Sequence, residues 1–230
     1  MKLRTRVLAL AMASGLACSA QAALITLTPL TGLTGGILAG TAVYKADLSS
    51  VGLGTILSVE IKDDSAGLGG AAGQFSGFDL DAIKLSNTDC ATAACAAGAV
   101  GLSVFDFLAG TSFAPGAQRA PVDPKLFGTD GAGSAVDDAV ATLGNFDGES
   151  TTVTPFGFLS MGDTGRITFN LSAAVSTAGL FLYIGEVGDN GEVAAGSITV
   201  RDSHVPEPAS LALVGLALAG LGMSRRRTKD

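Results

Sequence analysis

The chain holds a single histidine, His204, so a serine-histidine triad or an imidazole zinc site would have to be built around it. It stands two residues ahead of Pro206-Glu207-Pro208 and outside any strand pattern, and neither Gly-x-Ser-x-Gly nor His-Glu-x-x-His occurs. Carboxylates are the abundant reactive groups. Asp79 and Asp81 carry the most specific pattern: Phe78 and Leu80 share one strand face, whereas Ile83 and Leu85 fall on the opposite parity. A bulge at Asp81 and Ala82 would reconcile them. It would turn Asp79 or Asp81 toward a rim, where carboxylates and loop carbonyls hold Ca²⁺, a hard ion that prefers oxygen. Calcium is the lesser reading and an ordinary solvent-facing Asp the leading one, since the chain has no Asp-x-Asp-x-Asp-Gly loop.

Two address segments must place this body in its compartment. Lys2, Arg4 and Arg6 precede an apolar stretch from Val7 to Ala17 and the small-x-small triplet Ala20-Gln21-Ala22. This is the layout of a secretory signal peptide over residues 1–22, cut by signal peptidase between Ala22 and Ala23. At the other end, Val205-Pro206-Glu207-Pro208 leads into an uncharged apolar run, 209–224, and then Arg225, Arg226 and Arg227. Arginines resist hydrocarbon, so the run reads as a transmembrane helix with the arginines inside the cell and the body outside. Its length at ~1.5 Å per residue is about 24 Å, short of the usual ~30 Å core and poor for a permanent anchor.

The order Pro-Glu-Pro, short apolar helix, basic end resembles the PEP-CTERM sorting signal of exported bacterial proteins, also known as the C-terminal domain of ice-binding proteins. The resemblance spans residues 205–227 and implies a route. Exosortase, a membrane-embedded cysteine transpeptidase-like enzyme, would process the chain near the motif and release or transfer the body to the cell surface. Pro206, Glu207 and Pro208 would be its recognition residues, with Arg225, Arg226 and Arg227 as the basic end.

Cysteine usage suits export. Cys18 leaves with the signal, and Cys90 and Cys95 remain in a loop of small residues, 87–95. In an oxidising compartment they should pair locally, because thiolate metal sites would need further Cys or His ligands. Residues 23–204, the expected ectodomain, carry seven Lys or Arg against 19 Asp or Glu, hence a net charge of −12 where the whole chain has −7. That field repels phosphate backbones, and no basic patch is visible, which argues against nucleic acid as a partner.

The body reads as all-β. Leu57, Val59 and Ile61 alternate with Ser58, Glu60 and Lys62; Ile167, Phe169 and Leu171 with Arg166, Thr168 and Asn170; Ile198 and Val200 with Ser197, Thr199 and Arg201. A period of two puts one face on a core and the other in water. Strands are expected near 24–30, 41–47, 55–62, 76–86, 100–107, 153–161, 165–172, 179–187 and 195–202. Short strands between glycines favour an antiparallel β-sandwich or jelly roll. Residues 109–150 are long for a loop and hold a candidate short helix near 134–143. They form either a binding loop carrying Asp123, Asp130, Asp137, Asp138, Asp147 and Glu149, or a solvated excursion.

An acidic strand-rich body with a sorting address reads as an exported noncatalytic surface or matrix protein associated with exopolysaccharide. A carbohydrate-binding module, with or without structural calcium, is the alternative. The chain has no Trp and only Tyr44 and Tyr183, few rings for a sugar platform. A carboxylate-dependent hydrolase needs two acids at a set separation in a cleft. An ice-binding face needs a flat threonine array, which Thr26 and Thr28 alone do not make.

Overall fold

The alternating segments become strands, and glycines and aspartates turn the chain between them. The computed structural model describes residues 20–64, 71–150, 157–188 and 197–205. In chain order, the elements among them are β1 (Ala22–Ile25), β2 (Thr28–Thr34), β3 (Thr41–Asp47), β4 (Thr55–Lys62), β5 (Asp79–Ser86), α1 (Ala93–Gly98), β6 (Thr111–Ala114), α2 (Asp138–Ala141), β7 (Leu159–Ser160), β8 (Arg166–Ser176), β9 (Phe181–Val187) and β10 (Ser197–Arg201). They make two five-stranded sheets, β1-β10-β4-β8-β6 and β2-β3-β9-β5-β7. All the pairings are antiparallel. The expected signal segment before Ala20 and the sorting segment from Pro206 onward lie outside the described residues.

One core joins the sheets. Val59, Ile61, Ile167, Phe169, Ile198 and Val200 from the first meet Leu80, Ile83, Leu85, Leu182 and Ile184 from the second in one buried cluster. Each fully buried side chain of this size contributes roughly 1.5–3 kcal/mol of apolar transfer. The parity switch at Asp81 and Ala82 is realised as expected. Leu80 faces Glu186 and Ile83 faces Ile184, so β5 spends one more residue than β9 between these pairs. Phe78, Leu80, Ile83 and Leu85 thereby all reach the same core.

Four expectations need correction. Residues 100–107 form no strand: the Leu102 N–H donates to Leu85 O in one sheet at 2.8 Å, while Val104 O accepts the Ser172 N–H of the other at 2.9 Å. A backbone shared between two sheets cannot extend a ladder in either. Phe105 and Phe107 stack at 5.7 Å, and each meets the Phe169 ring nearly at right angles, closing that side of the core. The strand expected over 24–30 is two, because the chain changes sheets at Thr26 and Leu27. In β4 the alternation slips at a register shift between Ile56 and Ser58, so Ile56 joins the core and Leu57 does not. Of the strand expected over 153–161 only Leu159–Ser160 is realised among described residues.

Residues 109–150 are not simply a solvated excursion, because the second half of the segment packs into the body. Leu126, Thr129, Ala141, Leu143 and Phe146 are buried; Asp130 and Asp138 serve local turns, and Asp123 reaches a distant segment. Asp123 accepts the Gln74 N–H at 2.8 Å, Asp130 accepts those of Ser134 and Ala135 at 2.8 and 3.1 Å, and Asp138 accepts that of Leu143 at 3.1 Å. The candidate helix near 134–143 shrinks to the single turn α2.

The outer face of the second sheet is covered too. Val43, Ala82 and Tyr183 pack under Ala93 and Ala96 of α1, together with Cys90 and Phe146. α1 is absent from the sequence expectations, although Thr92 caps it through its hydroxyl, which accepts the Cys95 N–H at 3.1 Å. Lys84 closes its other end by donating to Ala96 O, Ala97 O and Ala99 O at 2.9, 2.8 and 3.2 Å.

Candidate functional site: the buried acids and the sorting junction

Asp79 and Asp81 do not stand at a rim. Both are buried, Asp81 completely. Asp79 lies opposite Ser160 in the β5-β7 pair, and the Ser160 hydroxyl donates to it. Asp81 sits in the bulge beneath residues 146–148: its Oδ2 accepts the Thr41 hydroxyl at 2.6 Å and its Oδ1 the Gly148 N–H at 2.9 Å. Burial, with a smaller push from nearby Asp147, raises the Asp81 carboxyl to about 8 against the lowering effect of its hydrogen bonds to Thr41 and Gly148. At neutral pH this acid keeps its proton, so it serves as a neutral hydrogen-bonding group. Asp147 is also pushed up by burial, although the Thr142 hydroxyl donates to both of its oxygens at 3.0 and 3.2 Å. The bulge was legible as a parity break. Its direction was not, because the residue that covers it, Gly148, lies 67 positions further along the chain.

Cys90 and Cys95 are joined, with Cα atoms 5.5 Å apart. The loop they close is fastened to the second sheet by Tyr183, whose hydroxyl accepts the Cys90 N–H at 2.9 Å and donates to Thr88 O at 2.6 Å. Lys45 adds contacts to Asp89 at 2.6 Å and Cys90 O at 2.9 Å.

The two ends of the described chain meet on the first sheet. Ala22 pairs with Arg201 and Ala23 with Val200, and beyond them the Gln21 N–H donates to Asp202 Oδ1 at 2.8 Å while Gln21 O accepts the Asp202 N–H at 3.2 Å. The expected cut between Ala22 and Ala23 therefore falls inside β1. It would leave Ala23, Leu24 and Ile25 to pair with Val200, Thr199 and Ile198.

After β10 the chain crosses the outer face of its own sheet. Arg201, Ser58 and Asn170 stand in one cross-strand row on β10, β4 and β8. The Ser58 hydroxyl donates to Ser203 O at 2.9 Å. Asn170 then binds Val205 twice: its Oδ1 accepts the Val205 N–H at 2.9 Å and its Nδ2 donates to Val205 O at 3.2 Å. Between them, His204 places Nε2 3.0 Å from Leu171 O. The segment runs across the strands, from β10 over β4 to β8.

Residues 204–227 match the model of the PEP-CTERM protein-sorting motif. The chain carries a PEP-CTERM signal. No curated protein and no solved structure matches the chain.

The PEP-CTERM signal implies export, a membrane-anchored intermediate and processing by exosortase. It begins at His204, so the match starts within the segment laid across the sheet, one residue before the Asn170 contact. The expected recognition residues Pro206, Glu207 and Pro208, the helix expected over 209–224, and Arg225, Arg226 and Arg227 lie outside the described residues. Among the described residues, no helix is long and apolar enough to cross a membrane. Sequence reasoning did not single out Ser58 or Asn170. On an alternating strand each reads as a solvent-facing polar residue, and nothing local tells which segment will lie over it.

Proposed function

We propose that this is a noncatalytic protein of the bacterial cell surface or extracellular matrix, exported as a precursor, processed at its PEP-CTERM signal and associated with exopolysaccharide. The observation that carries the reading is the sorting motif at 204–227, joined to the last strand without a linker domain. The secretory signal expected over 1–22 would start the route, and the helix expected over 209–224 would hold the intermediate in the inner membrane until exosortase acts. A β-sandwich stapled by Cys90 and Cys95 suits an oxidising compartment.

A structural role is supported by where the reactive side chains are spent. Asp79 and Asp81 are buried in contact with Ser160, Thr41 and Gly148. Phe105 and Phe107 pack on Phe169. The expected body carries a net charge of −12, which suits a hydrated, cation-bridged polysaccharide matrix.

The test is to express the full chain in cells with and without exosortase, then measure the location and mass of the product. A processed product at the surface or in the matrix that depends on the enzyme supports the reading. A full-length product in the inner membrane, indifferent to the enzyme, would overturn it. Retention of the processed body by isolated exopolysaccharide tests the association separately.

A further inference from the structure

The contact between Asn170 and Val205 has the form of a β-bridge made by a side chain. A carboxamide offers an acceptor and a donor side by side, as a peptide unit does, and here it engages both backbone groups of one residue. Ser203 and His204 are held by Ser58 and Leu171 O, so three successive residues are tied to the first sheet. One peptide link then separates Val205 from Pro206. An enzyme that acts at Pro206-Glu207-Pro208 has to seat an extended chain, and recognition of extended peptides uses the same backbone N–H and C=O groups. Those of Val205 are already occupied. Asn170 is only partly buried, so water can reach these bonds.

We propose that Asn170, with Ser58 and the His204 ring, is a latch that holds the stem of the sorting signal against the folded body and must open before exosortase can process the chain. Asn170 is a positioning residue that sets how often the stem is free. The inference rests on the sorting reading above. It predicts that folding of the body slows processing, through Ser58 and Asn170.

The experiment follows conversion of full-length precursor to processed product by pulse-chase and mass in an exosortase-containing host. Asn170→Ala should convert about tenfold faster than the parent chain, the change expected on losing hydrogen bonds of ordinary net strength. A short Gly-Ser spacer inserted between Val205 and Pro206 leaves the body untouched. It should give a similar acceleration, and Asn170→Ala should add nothing in the spacer background. Hydrogen exchange at the Val205 amide reports whether the latch has opened in each variant. Equal conversion rates for the parent and the spacer chain, or for the parent and a folded Asn170→Ala with a deprotected Val205 amide, would overturn the latch. A chain with Pro206, Glu207 and Pro208 all replaced by Ala separates the two ideas. If the parent is processed no differently from that chain, the sorting reading fails instead.

Discussion

The Gly148 N–H points at Asp81 Oδ1 from 2.9 Å, joining residues 67 positions apart in the chain. This bond explains why a strand dense in apolar residues carries an acid at its bulge. The extra residue of β5 interrupts the ladder to β9, and the carboxyl placed there receives the covering segment that the ladder cannot. Thr41 supplies the second hydrogen bond from β3, so Asp81 fastens two strands and the segment above them.

Stability should therefore depend on pH through Asp81. Its folded value of about 8 against an ordinary 3.8 means that between these limits the native state holds a proton the unfolded chain has released. Stability is full below about pH 4 and falls as pH rises toward 8, by up to about 1.4 kcal/mol per pH unit from this group. Asp147, shifted the same way by burial, adds the same sign. Asp81→Asn keeps an acceptor for Gly148 and has no charge to bury. Its urea midpoint should exceed the parent's near pH 9, and the advantage should vanish near pH 4. A difference of constant size at both ends would assign the effect to packing instead.

Gly148 should be far less replaceable than an exposed turn glycine. Its φ is 57°, and a Cβ there would lie 2.4 Å from Ala39 O, whereas Gly179, with φ 63°, would meet nothing within 4 Å. Gly179→Ala should cost about 1–2 kcal/mol for the left-handed backbone alone. Gly148→Ala should cost roughly 3 kcal/mol or more, because the Ala39-Glu149 bridge must also move. Denaturant unfolding of the two variants checks this. Equal losses would show that the segment relaxes freely.

Lys84 should control local opening of α1. Its ammonium caps three carbonyls at the helix end and sits 4.9 Å from the Phe146 ring centroid. Lys84→Met keeps the stem over the ring and removes the donors, at a cost of about 1–2 kcal/mol. Amide exchange should quicken at Ala96 and Ala99, with the core amides of β9 little changed. Uniform acceleration would instead make α1 part of the global unfolding unit.

Much of the fold was legible because the strands obey local rules. β3 and β4 occupy the expected 41–47 and 55–62, and the opposed parities of Leu80 and Ile83 foretold the bulge between them. The failures have a common cause. Residues 100–107 alternate well enough for a strand, yet their backbone bonds go to Leu85 and Ser172 on different sheets. Residues 93–98 are a run of small residues that reads as loop; they become α1 because Val43, Ala82 and Tyr183 offer an apolar floor.

The sequence alone determined the all-β class, the local disulfide between Cys90 and Cys95, the sorting motif and the acidity of the body, since each depends on residue type at short spacing. Tertiary structure decided the rest. It buried Asp79 and Asp81, packed residues 109–150, and laid Ser203 to Val205 across Ser58 and Asn170. Those outcomes depend on which distant segment covers a given strand face, and burial is a property of the covering partner that a strand's own alternation does not encode.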